Sequence, residues 1–220
     1  LDGLSIEVIY ENGNVVQGIT RGDGDIGEDI TVNVVRMSGV SSSLKHSFNG
    51  SLRGEIIMTK SNHQKYFSDK ANPRNAASGT SKRLDSAGSD KLNILFYQVL
   101  GDVDFKTEED QFKWLKNQGL DTPNFWVFKT PDEVNEHWRE YQDTERDKLD
   151  YDIDGLVVRI NDMETQAALG DKDLRPKGAI AFKFDNETRE SIIRDIIWQV
   201  GNSGRITPVA VVDPVQLVGA

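Results

Sequence analysis

The chain has 220 residues, a formal net charge of −10 and no cysteine. A chain of this length can bury a core without disulfides, and the lack of cysteine excludes a thiol nucleophile or a Cys-ligated zinc site within these residues. No run approaches the ~18 apolar residues of a membrane span, and the first residues lack the basic start and apolar block of a signal peptide. The acidic balance argues against coating of nucleic acid by the whole surface but is compatible with a local basic groove.

The N-terminal part predicts antiparallel strands joined by loops. Apolar residues alternate along the first strand, and Asn12-Gly13 predicts a hairpin turn because both residues tolerate positive φ. A glycine-rich loop and a Ser/Gly-rich loop then lead to a third strand. In chain order the elements are strand 4–10, turn 11–14, strand 15–20, loops 21–29 and 38–50, and strand 52–58.

The middle of the chain predicts three helices with marked N-termini, which begin after Asn72, Thr107 and Thr130. Proline occupies the first helical position after Asn72. An acidic first turn follows Thr107 in a helix that Gly119 ends, and Thr130 belongs to a capping box. An apolar strand at 92–100 separates the first helix from the second.

The C-terminal part predicts strands at 155–160 and 179–184, both of which look buried because they are apolar runs. From about residue 187 the pattern changes to strand-like stretches at 192–200 and 209–212, joined by Gly201-Asn202-Ser203-Gly204. We therefore expect a domain boundary near residue 186, with one domain at 1–186 and the beginning of a second at 187–220.

Five segments combine ionised residues with glycine or apolar residues near predicted strand ends; they are 1–3, 21–24, 53–55, 152–155 and 181–184. Any single one has a plain structural explanation, because Asp-Gly pairs form turns and charged strand residues usually face solvent. Lys183 and Glu55 fit it less well, since their neighbours are apolar and an unpartnered buried charge is costly. Opposite charges along one cleft would suit a nucleotide, with cations at phosphate and a carboxylate at ribose hydroxyls or a metal.

Taken in order, such segments resemble the bacterial-type NAD-dependent DNA ligases over nearly the whole chain. The matching segments are Leu1-Asp2-Gly3, Thr20-Arg21-Gly22-Asp23-Gly24, Leu52-Arg53-Gly54-Glu55, Asn72-Pro73-Arg74-Asn75-Ala76-Ala77, Asp154-Gly155-Leu156-Val157-Val158, Ala179-Ile180-Ala181-Phe182-Lys183-Phe184, and Trp198-Gln199-Val200-Gly201 with Thr207-Pro208-Val209-Ala210. Each motif alone is weak, whereas the ordered series is specific. The resemblance implies an α/β (α+β) nucleotidyltransferase fold of mostly antiparallel sheets with outer helices, followed by the first strands of an OB-fold.

The resemblance implies an enzyme that seals nicks in duplex DNA during repair and replication. It proceeds through a lysyl-AMP intermediate, with NAD as the AMP donor and Mg²⁺ as the metal, and each step is a phosphoryl transfer. It further implies nicked duplex DNA as the partner, no membrane, and a monomeric, cytoplasmic protein of bacterial or phage origin. Zinc is expected only in regions of the parent protein outside this sequence.

The nucleophile of this chemistry lies outside the sequence. The motif's lysine would stand directly before Leu1, and no lysine in the chain is followed by x-Asp-Gly. We expect that the sequence starts just after this lysine, as a fragment would, or that the preceding segment is a separate polypeptide. In both cases we expect that these 220 residues alone cannot adenylylate themselves.

The resemblance also implies roles for individual residues. The catalytic residues are Asp2, Glu55, Arg159 and Lys183. Glu55 is expected at the AMP ribose and Lys183 at the α-phosphate. The residues that bind the AMP donor are Glu55, Arg21, Arg146, Arg159 and Lys183. Those that bind DNA are Arg74, Asn75, Lys82 and Arg205, and the candidate metal ligand is Asp154. The helix N-terminus beside Arg74 independently suits phosphate.

Several positions depart from the family pattern. Arg159 stands where the family has lysine, and an arginine fork is not equivalent to an ammonium group. Lys82 stands where the family usually has arginine, and Lys177-Gly178 stands where the family usually has Arg-Trp. Asn202 replaces an arginine in the OB-fold opening, which predicts a weaker DNA contact there, and Arg205 is a candidate replacement.

Two other functions stay open. One is an ATP-dependent polynucleotide ligase or capping-type nucleotidyltransferase, against which the segments at 72–77 and 207–210 argue. The other is a non-catalytic nucleotide- or DNA-binding remnant of a ligase. We also expect the incomplete OB-fold strands to expose an unpaired edge, which favours aggregation.

Overall fold

The computed structural model describes residues 1–22, 24, 26–172, 175–185, 189–201 and 204–215. The chain divides into two compact units, Leu1–Phe184 and Asp185–Ala220. Two expectations, the boundary near residue 186 and the effect of Asn202, fall outside the described residues. The mixed α/β class with antiparallel sheets and outer helices is confirmed.

The first unit is built on a four-stranded antiparallel sheet in the order β2-β1-β3-β4. Its strands are β1 (Leu4–Glu11), β2 (Asn14–Thr20), β3 (Gly50–Met58) and β4 (Leu92–Gly101). The predicted hairpin is confirmed, because Asn12 and Gly13 have φ values of 50° and 78° and connect β1 to β2. The alternation along β1 buries Ile6, Val8 and Tyr10 on the core face.

Helices lie outside the sheet. They are α1 (Thr31–Val34), α2 (Lys60–Tyr66), α3 (Pro73–Ser81), α4 (Glu108–Asn117), α5 (Pro131–Glu140) and α6 (Met163–Leu169). The three predicted N-caps are confirmed, since the side chains of Asn72, Thr107 and Thr130 each accept a first-turn backbone N–H. Helices α1, α2 and α6 are not predicted from the sequence. A π-helical turn at Tyr141–Glu145 and 3-10 turns at Ser89–Lys91 and Arg146–Lys148 complete the helical segments of the described chain.

The strands β5 (Gly155–Arg159) and β8 (Ala179–Lys183) pair to form a two-stranded antiparallel ribbon. A second, short pair lies between them in sequence and consists of β6 (Asp171–Lys172) and β7 (Arg175–Pro176). The prediction that both long strands are buried is wrong: Val157 is 68% exposed and Ile180 60% exposed. Val157 lies on the open face of the ribbon, and the opposite face is covered only in part: Leu156 packs there against a small core around Tyr141 and Phe184, whereas Ile180 on the same face is exposed.

The second unit contains the antiparallel pair β9 (Ile193–Val200) and β10 (Ile206–Val212), so the second strand begins earlier than the predicted residue 209. Nearly all side chains of this pair are exposed, including the indole of Trp198. Within the described part of the chain, no helix combines the length and the apolar character needed to cross a membrane.

Candidate nucleotide-binding site

The segment before β1 lies against two other predicted motif segments. The backbone N–H of Asp2 donates to the carbonyl of Asp152 at 3.1 Å, and the N-terminal nitrogen of Leu1 lies 3.9 Å from Oδ1 of Asp154. Gly3 lies so close to β3 that a Cβ atom there would be 2.1 Å from the carbonyl oxygen of Ile56. The Asp2-Gly3 pair therefore connects the segment at 152–154 to the sheet.

Glu55 lies on β3 directly opposite Ser5 of β1. The Ser5 hydroxyl donates to Oε2 of Glu55 at 2.9 Å. Burial raises the pKa of Glu55, and hydrogen bonds from Ser5 and the Gly3 backbone, with the charges of the N-terminal amine and Arg74, do not fully offset it. Burial of this carboxylate therefore disfavours its charged form, as predicted, and the surrounding hydrogen-bond donors and positive charges reduce that free-energy cost.

Tyr97 belongs to the same site, although nothing in the sequence singles it out. It is the extra residue of β4 at a bulge, where the partners change from Phe96 opposite Gly54 to Gln98 opposite Arg53. Burial raises the pKa of Tyr97, the charge of Glu55 raises it further, and Ser5, Arg53 and Arg159 oppose these effects. Glu55 and Arg159 therefore both lie close enough to Tyr97 to influence its phenol.

Arg74 lies at the N-terminus of α3 and reaches the segment before β1. Its Nη1 atom lies 2.6 Å from Oδ1 of Asp2. The backbone N–H of Asn75 is already capped by the Asn72 side chain at 2.8 Å, and the Asn75 side chain is exposed. Of the DNA-binding residues expected from the sequence, Arg74 alone is linked to the segment around Asp2 by a described contact.

Lys82 lies just beyond the C-terminus of α3, where its Nζ is 2.6 Å from Oε2 of Glu28. Arg21 lies at the end of β2, and its backbone N–H donates to the Ser5 carbonyl at 3.2 Å. The Arg21 side chain is exposed and forms no ion pair with any described residue. The structure thus brings the Arg21 backbone, but not Lys82, next to the Ser5–Glu55 pair.

Lys183 ends β8 opposite Gly155, so it lies beside Asp154. The backbone N–H of Phe184 donates to the carbonyl of Asp154 at 3.0 Å, which fixes this register. The Lys183 side chain is exposed, so the expectation of a lysine within a buried strand is wrong. The reason is that residues directly opposite share a face, and the face carrying Lys183 and Val157 is the open side of the ribbon.

Arg146 and Arg159 are each held by a neighbour. The guanidinium of Arg146 stacks over the ring of Phe184 at 5.2 Å from its centroid, next to Lys183. Nη1 of Arg159 lies 2.9 Å from Oε1 of Glu108, at the start of α4. Stacking orients Arg146 and ion pairing orients Arg159, two of the residues predicted to bind the AMP donor.

Two predicted residues remain, the DNA-binding candidate Arg205 and the metal-ligand candidate Asp154. Arg205 belongs to the second unit, where its carbonyl accepts the Gly201 N–H at 2.9 Å and its side chain is exposed. Among the residues that the structure describes, no three His, Cys, Asp or Glu side chains form a group that could hold a metal ion. Asp154 is 62% exposed and therefore accessible, but it belongs to no group of three such side chains among the described residues.

Comparisons with known proteins identify sequences similar to this one. Residues 1–187 match the family model described as NAD-dependent DNA ligase adenylation domain. The chain is 44% identical over 220 residues to a DNA ligase of Sorangium cellulosum (strain So ce56) and 40% identical over 232 residues to a DNA ligase of Limosilactobacillus reuteri (strain DSM 20016). It is 38% identical over 237 residues to a DNA ligase of Treponema denticola. These alignments cover 100% of the chain but 32%, 34% and 36% of the relatives, so the chain spans about a third of their length.

Proposed function

Because the chain belongs to the family of NAD-dependent DNA ligase adenylation domains, we propose that it is the adenylate-binding part of an enzyme that seals nicks in duplex DNA, with NAD as the AMP donor. The observation that carries the proposal is the meeting of the Asp2-Gly3 segment, Glu55 and Arg74 at one end of the sheet. We extend the proposal to a monomeric, cytoplasmic protein of bacterial or phage origin, on the strength of the family alone.

Glu55 is suited to recognise the ribose of AMP. Ser5 and the Gly3 backbone donate to its carboxylate, which leaves further acceptor positions on the two oxygens for hydroxyl groups of a ligand. Tyr97 beside it supplies a phenol that can donate to the same ligand. These groups lie on paired strands, so their separation is fixed before a ligand binds.

Lys183 and Arg74 are suited to bind phosphate. Lys183 is exposed and forms no ion pair with a described residue, so its ammonium is available for the α-phosphate. Arg74 is held by Asp2, and an incoming phosphate would compete with that carboxylate. In phosphoryl transfer such cations stabilise the charge that develops on the equatorial oxygens.

NAD would supply the AMP group, and the acceptor in the first step would be the family's motif lysine. Asp154 lies 3.9 Å from the nitrogen of Leu1, so this carboxylate is close to the Leu1-Asp2-Gly3 segment. Mg²⁺ is usually held by one or two carboxylates together with substrate phosphates. The exposed Asp154 fits the role of a single protein ligand in such a site.

A graft tests the proposal without assumptions about residues outside this chain. The 220 residues replace the matching region of the Sorangium cellulosum DNA ligase, and sealing of a nicked duplex is measured with NAD or with ATP. We expect sealing with NAD and none with ATP, and loss of sealing in the Glu55→Ala and Lys183→Ala grafts. Circular dichroism identifies grafts that fail to fold.

The other outcomes of the graft each identify a competing function. Sealing with ATP alone would identify an ATP-dependent ligase. A folded graft that seals with neither nucleotide would support a non-catalytic remnant. Retained sealing in both alanine grafts would remove Glu55 and Lys183 from the mechanism.

A further inference from the structure

Glu108 is a nearly buried carboxylate for which the proposed reaction has no use. Its side chain is 10% exposed at the first turn of α4. Nη1 of Arg159 forms an ion pair with Oε1 at 2.9 Å, Oε1 also accepts from Nε2 of Gln166 at 2.8 Å, and Oε2 accepts from Nε2 of Gln111 at 2.9 Å. A nearly buried carboxylate with an ion pair and two charge-assisted hydrogen bonds is strongly fixed.

The network extends to the backbone on both sides. Oε1 of Gln111 accepts the Val99 N–H of β4 at 2.8 Å. The start of α4 is also tied to the turn after β5, since the Glu108 N–H donates to the Asn161 carbonyl at 2.9 Å. The Glu109 N–H donates to Oδ1 of Asn161 at 3.1 Å. The Glu108 carboxylate is thereby held at a set position relative to the end of β5, where Arg159 lies.

Arg159 faces the proposed adenylate site. Residues 155, 157 and 159 project from one face of the ribbon, and Lys183 shares that face because it pairs with Gly155. The charge of Arg159 also lowers the pKa of Tyr97, whose phenol lies near Ser5 and Glu55. Arg159 thus pairs with Glu108 and also lies near the groups proposed to hold the adenylate.

We propose that Glu108 is a positioning residue that holds Arg159 in one orientation toward the bound adenylate, an inference that rests on the proposed function. Nη1 of Arg159 is the atom nearest Glu108, so other N–H groups of the guanidinium can donate to a nucleotide. A guanidinium can bridge two acceptors in this way because its donors form a rigid fork. Without Glu108, the arginine would have to be ordered at the moment of binding, which costs side-chain entropy.

The test measures binding of AMP to the 220-residue chain by titration calorimetry. We expect Glu108→Gln to weaken AMP binding by roughly tenfold, because Arg159 loses its ion pair and has to be ordered when AMP binds. The matched control is Glu109→Gln on the same helix turn, whose carboxylate pairs with Lys113, and it should leave AMP binding unchanged. In a chain that carries Arg159→Lys, adding Glu108→Gln should have little further effect, because the partner is already altered. Full additivity of the two changes would overturn the proposal.

A second readout does not depend on a ligand. The Nε–Hε signal of Arg159 in nitrogen-15 NMR, assigned by its loss in Arg159→Lys, should be sharp in the unaltered chain and should broaden or merge with solvent-exposed arginines in Glu108→Gln. An unchanged Arg159 signal in folded Glu108→Gln would overturn the positioning role. If the unaltered chain binds no AMP, the proposed function fails, and the NMR signal still decides whether Glu108 orders Arg159.

Discussion

The guanidinium of Arg74 lies 2.6 Å from the carboxylate of Asp2, which joins the N-terminus of α3 to the segment that precedes β1. The arginine side chain is 60% exposed, so solvent screens the pair. Exposed ion pairs contribute little to folding, whereas an arginine already directed at a helix N-terminus can exchange a carboxylate for a phosphate. We therefore expect the contact to contribute more to ligand binding than to stability.

Arg74→Ala should separate these two contributions. We expect the free energy of unfolding to change by less than about 1 kcal/mol, because the pair is exposed. AMP binding should weaken, and its dependence on salt should become shallower, because one cation no longer contacts phosphate. Chemical denaturation and calorimetry at several salt concentrations measure both effects. A large loss of stability with unchanged AMP affinity would make Arg74 a structural residue.

Gly3→Ala should destabilise the first unit. The new Cβ would lie 2.1 Å from the Ile56 carbonyl oxygen and 3.0 Å from Cγ of Glu55, so backbone must move; overpacking of this kind costs about 1–3 kcal/mol. The control is Gly79→Ala within α3, where a Cβ meets nothing within 4 Å. That change should stabilise the chain by roughly 0.5–1 kcal/mol, because alanine favours helix over glycine. Thermal and urea unfolding compare the two, and equal stabilities would contradict the close approach at Gly3.

The pH dependence of stability should differ in sign between two glutamates of the sheet. The folded chain raises the pKa of Glu55, so it binds this proton more tightly than the unfolded chain does, and that stabilisation is lost as pH rises through the folded pKa. Glu55→Gln should therefore gain stability relative to the unaltered chain as pH rises from the unfolded pKa of a glutamate through the raised folded pKa of Glu55. Urea unfolding at several pH values in this window measures the difference.

Glu7→Gln provides the opposite case on the neighbouring strand. Burial raises the pKa of Glu7, but hydrogen bonds from Ser51 and Arg53 and the charge of Arg53 outweigh it, so the pKa is lowered. Its stabilisation is present above the unfolded pKa and is lost as pH falls through the folded one. Relative to the unaltered chain, Glu7→Gln should lose stability as pH rises from the folded pKa to the unfolded pKa of Glu7, a range that lies below the one for Glu55. Two slopes of the same sign would contradict the environments of these carboxylates.

Covalent labelling should be absent from the 220-residue chain incubated with NAD and Mg²⁺. The physical reason is that no lysine in the sequence is followed by x-Asp-Gly, the pattern of the family's nucleophile, and Lys183 is proposed to bind phosphate as an ammonium rather than to attack it. Intact-mass spectrometry measures the result, and the Sorangium cellulosum ligase serves as the positive control. An adenylylated lysine within residues 1–220 would reveal a nucleophile that the motif pattern does not predict.

Local chemistry made much of the fold predictable. The positive φ values at Asn12 and Gly13, and the side-chain caps at Asn72 and Thr130, depend on neighbours within a few residues. Helices α2 and α6 escaped prediction because they are short and bury no residue, so they have no apolar periodicity. The capping side chains of Thr59 and Asp162 were local signals at their N-termini, and Gly170 follows the end of α6.

The site was predictable only in part. Asp2, Glu55 and Lys183 stood out because charge occurs beside glycine or apolar residues, whereas Arg159 was predicted only from the family resemblance. Tyr97 could not be found, because its place beside Glu55 depends on a bulge that shifts the register of β4. Glu108 looked like an ordinary acidic first-turn residue, and its burial depends on Arg159 and Gln166, which are more than fifty positions away in sequence.

The position of Lys183, the residue proposed to bind phosphate, depends on the pairing of β5 with β8. Gly155 lies opposite Lys183, and a Cβ at Gly155 would be 2.4 Å from the Phe182 carbonyl oxygen, so the strands meet closely there. A slip of one residue in this pairing would turn Lys183 to the opposite face. Two paired strands are less stable than the four-stranded sheet that carries Glu55. Opening of this ribbon, rather than unfolding of the core, would then determine how often Lys183 leaves the site. The rate of amide hydrogen exchange along 155–159 would measure how often the ribbon opens.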